Sequence, residues 1–150
     1  MSASPLYLHS VDETLIKARD DHGNTALFLA SALGSKETVQ WLIEQIKVEI
    51  HETGHEGRNC FFAAFLGDKI ETLKYLHSVD KTLIHAREEV GDTALCFAAR
   101  FGSKETVQWL IEEVKVDIHD TDDLGMNCFL AAVTGDNLDT IKTLTVVTYT

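Results

Sequence analysis

Cysteines and histidines are the side chains of this sequence best suited to chemistry, and their spacing limits what that chemistry is. Cys60, Cys96 and Cys128 stand far from one another along the chain. Cysteine-rich zinc sites use closely spaced pairs, which are absent here. Three thiols also cannot close a disulfide framework, so buried reduced thiols and a cytoplasmic, intracellular setting are expected. His55, Glu56 and Cys60 could be drawn together as a cysteine–histidine couple. Cys60, however, opens an apolar helical segment, and a nucleophile needs access to its substrate. The sequence has no G-x-S-x-G elbow, phosphate-binding glycine loop or H-E-x-x-H segment. A chain without catalysis and without cofactor is expected.

A second set, His51, His85 and His119, recurs at equal steps along the chain, with Lys17 in register before it. Equivalent residues of neighbouring packed helical units sit about 10 Å apart. Ligands of one zinc must each approach to about 2 Å. No shared metal site is expected. His9 and His77, which match across two such steps, are farther apart still.

The elements that carry these residues follow from self-similarity. Residues 7–74 align with 75–142, and about three-fifths of the aligned positions are identical. GSKETVQWLIE occurs twice without change, and YLHSVDETLIKAR matches YLHSVDKTLIHAR. Each block divides again, with related starts at Gly23 (GNTALFLA), Gly57 (GRNCFFAA), Gly91 (GDTALCFAA) and Gly125 (GMNCFLAA). These starts are evenly spaced, each at the thirty-fourth position after the last. Two kinds of unit thus alternate, one with a T-A-L start and one with an N-C-F start.

Each unit reads as two short helices and a turn. Thr25, Asn59, Thr93 and Asn127 stand where a side-chain oxygen caps a helix N-terminus, a contribution of about 1 kcal/mol each. Small residues follow (Ala30, Ala64, Ala98, Ala132), and Gly34, Gly67, Gly102 and Gly135 are expected to end the first helix in a left-handed conformation. The second helix carries apolar positions such as Val39, Leu42, Ile43 and Ile46 at helical spacing. An extended VEIHET or VDIHDT piece and a charged turn lead to the next glycine. Trp41 and Trp109 occupy one repeat position, where core packing is expected. One unit cannot bury its apolar face alone, but stacked units can.

The composition is that of an ordinary soluble globular protein. The formal charge is -11, with 24 acidic against 13 basic residues. Nucleic-acid binding is disfavoured, because phosphates repel such a surface. No stretch approaches the roughly 20 apolar residues of a membrane span, and MSASPLYLHSVDET lacks the pattern of a secretion leader. No membrane partner is expected.

The recurring G-x-T-A-L-x-x-A start and V-x-I-x turn resemble the ankyrin repeat. The family's T-P-L-H start appears as Thr25-Ala26-Leu27-Phe28, Asn59-Cys60-Phe61-Phe62, Thr93-Ala94-Leu95-Cys96 and Asn127-Cys128-Phe129-Leu130. None keeps the proline or histidine. The N-C-F units set their glycine one residue early, leaving Asp68 and Asp136 where the family usually has glycine. The resemblance implies an all-α ankyrin solenoid of helix-turn-helix units with short β-turn or hairpin connections. Residues 1–150 form a single domain on this reading. It comprises a partial repeat at 5–22, repeats near 23–56, 57–90, 91–124 and 125–144, and a tail at 145–150.

It also implies a protein or peptide partner bound on a concave face made of turn tips and first-helix flanks. At the tips these positions include His22, Asn24, His55, Arg58, Val90, Asp92, Leu124 and Met126. On the flanks they include Leu33, Phe65, Leu66, Arg100 and Phe101. The apolar flanks and acidic tips suit a basic amphipathic peptide. The other readings are an architectural spacer, a recruiting segment of a larger enzyme or bacterial effector, and a designed array. The oligomeric state is open.

The resemblance places His51, His85 and His119 where family members usually carry asparagine that asparaginyl hydroxylases modify. Such a histidine is either an occasional substrate or a residue that stabilises the turn through hydrogen bonds, and the second role is preferred. Intact mass after incubation with an asparaginyl hydroxylase separates the two. The turn-stabilising role predicts no gain of an oxygen atom.

Overall fold

The computed structural model describes residues 12–149, with side-chain exposure through residue 146. Among these described residues, nine α-helices follow in order. They are α1 (Glu13–Lys17), α2 (Ala26–Leu33), α3 (Lys36–Trp41), α4 (Cys60–Leu66), α5 (Ile70–Val79), α6 (Ala94–Phe101), α7 (Lys104–Trp109), α8 (Cys128–Thr134) and α9 (Leu138–Tyr149). Among the described residues there is no strand, and the V-E-I-H and V-D-I-H pieces are irregular connections. The start of the partial repeat predicted from residue 5, with His9, lies outside the described residues. The last helix, α9, runs on to Tyr149, through the described part of the stretch expected as a tail.

Caps define the first helices. The side chains of Thr25, Asn59, Thr93 and Asn127 accept from the amides of Phe28, Phe62, Cys96 and Leu130 at 3.0–3.1 Å. Ser35 and Ser103 do the same for the second helices of the T-A-L units. Those helices end in a loosened turn whose closing residues, Lys47 and Lys115, take φ of 60° and 64°. The amides of Val48 and Val116 then close back on Leu42 and Leu110 at 3.2 and 3.1 Å. This closure around a left-handed residue satisfies carbonyls that a helix end leaves open.

The glycines that end the first helices act differently from the expectation. None is left-handed, with φ between -83° and -95°. The left-handed residues are Asp68 and Asp136, at φ 53° and 52°. What Gly67 and Gly135 supply is room. A Cβ on Gly67 would sit 2.0 Å from the Ala32 carbonyl oxygen, and one on Gly135 would sit 2.3 Å from that of Arg100. In each case the contact is to the preceding unit of the same two-unit block. The early glycine of the N-C-F units therefore marks where two first helices touch through backbone.

Between the pairs, the junction is aromatic. Phe61, Phe62 and Phe65 of the second unit are fully buried together with Phe97 of the third. Phe62 meets Phe97 edge-on at 4.9 Å, and Trp109 lies 6.3 Å from Phe61 and 5.7 Å from His77. Burying each such ring stabilises by about 1.5–3 kcal/mol. Trp109 is core, as expected, but Trp41 is half exposed. The residue that corresponds to His77 for Trp41 is His9, outside the described residues.

The cysteines lie inside this stack. All three are free and buried, and the thiols of Cys60 and Cys128 donate to the carbonyls of Ile50 and Ile118 at 3.6 Å. Burial pushes the thiols up, Cys60 to about 12 and Cys128 to about 11. Thiolate is the reactive form, so these groups are inert at neutral pH.

Two outcomes follow. A disulfide-exchange reagent at neutral pH is expected to leave the native protein unmodified, and to titrate three thiols only after denaturant is added. Gly67→Ala and Gly135→Ala are each expected to lower stability in urea melts by about 1–3 kcal/mol, since the neighbouring backbone must move. Gly125→Ala has open space and only its φ of 77° to strain, so its loss is expected to be smaller, about 1 kcal/mol.

Candidate functional site

The turn tips are built on a carboxylate repeated along the array. Asp20 accepts from the amides of His22 and Asn24 at 2.9 and 2.8 Å. Asp122 accepts from Leu124 and Met126 at 2.8 and 2.9 Å. Glu88 takes the same role toward Val90 and Asp92 at 3.1 and 3.2 Å. One side chain thus fixes two amides across each tip, and Gly23, Gly91 and Gly125 supply the positive φ that the bend requires. The Asn24 amide, with help from the Asn24 side chain and the His22 amide, holds the Asp20 carboxyl below its ordinary range. Desolvation acts to raise Asp122, but the amides of Met126 and Leu124 outweigh it and the carboxyl is lowered.

The second tip has Gly54 where the others have the carboxylate. Here the preceding tip reaches over: Asn24 Oδ1 accepts from the His55 amide at 2.9 Å. A Cβ on Gly54 would meet that oxygen at 2.7 Å. Glu56 and Gly57 complete this different bend at φ 57° and 72°. The His22 and His55 rings stand edge to face at 5.7 Å above it.

Arginines join tips to flanks. Arg58 pairs with Glu56 at 2.8 Å and lies 3.8 Å from buried Glu88. Its guanidinium covers the Phe97 ring at 4.9 Å and Phe101 at 6.0 Å, in the next unit. Arg100 pairs with buried Asp92, reaches Asp122 at 3.8 Å, and donates to Thr134 Oγ1 at 3.3 Å. Burial raises the Asp92 carboxyl, with Arg100 pulling the other way. Charged groups held this way are costly to leave unpaired, which fixes the tips relative to the helices behind them.

A further pair of arginines is missing from the sequence-based site. Arg19 donates to the Gly23 and Thr53 carbonyls at 2.8 and 2.7 Å, and Arg87 donates to those of Gly91 and Thr121 at 3.1 and 2.9 Å. Each bridges its own turn to the following one, always within one two-unit block. The signal for them is present in the matched LIKAR and LIHAR strings.

The predicted surface residues divide into two groups. His22, His55, Leu33, Leu66, Val90, Phe101 and Leu124 are exposed, and Arg58, Arg100 and Met126 are partly so. Phe65 does not reach the surface. Its ring packs edge-on against Phe61 at 5.2 Å and beside Phe97 at 6.5 Å, because its turn of α4 faces the next pair. Asn24 and Asp92 are buried as well, one holding the second tip and the other holding Arg100. They shape the surface and do not present themselves on it.

The repeat histidines differ from one another. His51 Nε2 bonds Asp80 at 2.6 Å, tying its turn to the cap of the next short helix. His119 uses its amide, which donates to Asp117 at 2.9 Å. His85 is exposed beside a groove of about 470 Å³ that also includes Lys81 and Lys115. No cluster of metal-ligating side chains occurs among the described residues, and none of their helices is long and apolar enough to cross a membrane. His55 lies 3.2 Å from Glu56, while Cys60 is buried with its thiol turned to Ile50.

Comparison with known proteins matches this architecture. A family model for ankyrin repeats in three copies covers residues 60–146, and a second, for many copies, covers residues 27–77. The chain is also similar to a Saccharomyces cerevisiae protein, "Target of rapamycin complex 2 subunit AVO2", at 30% identity over 98 residues. That match takes in 65% of this chain and 23% of the yeast protein, so the chain spans about a quarter of that relative's length. Ankyrin repeats are generally protein-interaction modules. With four capped units in register and a family model over more than half its length, the chain belongs to the ankyrin-repeat family.

Proposed function

We propose that this array binds a protein partner on the face formed by its turn tips and first-helix flanks, and that it performs no chemistry itself. The preferred ligand is a basic amphipathic peptide or helix. One observation carries the reading. Leu66 and Phe101 stand exposed on flanks whose neighbours, Arg58 and Arg100, are held by buried carboxylates. Apolar side chains on a rigid frame bind at low entropic cost, because little is left to order on docking. Acidic groups at the tips, among them Asp21, Glu56, Glu89 and Asp123, surround this floor and favour cationic ligands. Three inert thiols suit a reducing intracellular compartment. A place as one subunit of a larger assembly is consistent with the similarity to a yeast complex subunit.

The test begins with partners recovered by affinity capture and with a set of basic amphipathic helical peptides, each titrated by calorimetry. Leu66→Ala with Phe101→Ala is expected to weaken binding by about thirtyfold, roughly 2 kcal/mol, as for residues at the centre of an interface. The thermal midpoint should fall only modestly, because both side chains are about half exposed. Raised salt should weaken binding further through screening. Unchanged affinity in the double variant would count against this face and favour a spacer role.

A further inference from the structure

What stands beside the acid changes halfway along the row of turn tips. The first two tips pair an acid with a histidine, Asp21 with His22 and Glu56 with His55. The last two pair an acid with an aliphatic residue, Glu89 with Val90 and Asp123 with Leu124. Val90 is 57% exposed and Leu124 75%. Turns favour small and polar residues, so folding gives no reason for two bulky aliphatics there. Nor is their exposure a matter of position in the array, since Val90 has a described unit on each side and is exposed all the same. Both stand on tips held by buried carboxylates: the Val90 amide donates to Glu88 at 3.1 Å and the Leu124 amide to Asp122 at 2.8 Å. At the matching place the first tip has the exposed Asp20 and the second has Gly54. The four tips form one continuous row. The His22 and His55 rings lie 5.7 Å apart, the Glu89 amide donates to the Glu56 carbonyl at 2.9 Å, and a Cβ on Gly91 would run into the Asp123 carboxylate.

We infer that the partner presents an α-helix lying along this row, with apolar residues seven apart against Val90 and Leu124 and only polar and basic residues against the first two tips. This rests on the reading that the tip and flank face binds a protein, and it adds the partner's shape and the order of its side chains. Spacing selects the helix. Equivalent residues of neighbouring units stand about 10 Å apart, the separation of packed helices. A helix covers about 10.5 Å in seven residues and returns to nearly the same face after two turns. A strand covers about 10 Å in three residues, which points that side chain to the opposite face. Only the helix offers one matching side chain per tip. Charge selects its basic residues. Asp21, Glu89 and Asp123 share one repeat position and have no ion-pair partner among the described residues, whereas Glu56 is taken up by Arg58 and His55. Apolar contact is concentrated on the last two tips, whose held backbone leaves little to order on docking.

A synthetic helical peptide of four heptads tests this. One half carries leucine every seventh residue with lysine beside it, and the other half carries lysine and glutamine; both chain orders are made, leucine half first and leucine half last. Titrated against the whole chain by fluorescence anisotropy, the better order is expected to bind about tenfold more tightly than a peptide of the same composition with its leucines moved to five-residue spacing. Val90→Glu with Leu124→Glu is expected to weaken that binding by about thirtyfold. Circular dichroism checks that this variant is folded, and Val90→Ser with Leu124→Ser replaces it if it is not. A photo-crosslinker in the leucine half should attach within residues 89–126, and one in the lysine half within residues 20–58. No binding by either order, equal or tighter binding of the five-residue peptide, a tip variant without effect, or crosslinks in the reverse order would each overturn the proposal. If the tip variant has no effect while Leu66→Ala with Phe101→Ala still weakens peptide binding, the partner-binding face stands and the helix along the tips falls. If neither pair of substitutions matters, both readings fall.

Discussion

The contact on which the stack depends is a backbone approach that no side chain could occupy. Gly67 lies against the carbonyl of Ala32, and Gly135 against that of Arg100, so the first helices of a pair meet where any Cβ would collide. That proximity brings the turns of the two units close enough for Arg19 and Arg87 to donate across to the Thr53 and Thr121 carbonyls. It also lets Asn137 reach back to the carbonyls of Ala99 and Gly102 at 3.0 and 2.9 Å, covering groups left open at the end of a helix. The pair is joined by small residues and hydrogen bonds, and it joins the next pair through phenylalanine and tryptophan. Arg58 and the Glu89 amide, which donates to the Glu56 carbonyl, also cross between the pairs at the tips.

Charge placement follows from the same frame. The tips need a carboxylate to gather their amides, and the array has one at Asp20, Glu88 and Asp122. Stacking then sets buried Glu88, Asp92 and Asp122 in succession. Arg58 approaches the first of them, and Arg100 lies between the other two. The side facing outward is left with apolar flanks set among fixed ions. Rigidity and surface character come from one set of residues, and substitutions in the network would alter both.

Much of this was legible in the sequence because repetition supplies its own alignment. The four caps, the helix order and the buried thiols follow from residue type and from the even register of the units. What was not legible depends on neighbours distant in the chain. Glycine at 67 and 135 looked like a helix stop, yet its purpose lies in the carbonyl of another helix. Phe65 and Leu66 are adjacent in sequence, and a turn of about 100° per residue places one in the aromatic junction and the other outside. Asn24 and Asp92 have the polarity of surface residues, but their partners, His55 and Arg100, come from another tip and from a helix flank.

Alternation of two junction types has a consequence for how such a chain can grow. A single unit inserted or lost would bring two like units face to face, setting backbone contact against aromatic packing. A step of two units restores both junctions at once. The near-identity of the two blocks is the trace such a step would leave, with duplication proceeding by pairs because only a pair carries a matching edge on each side.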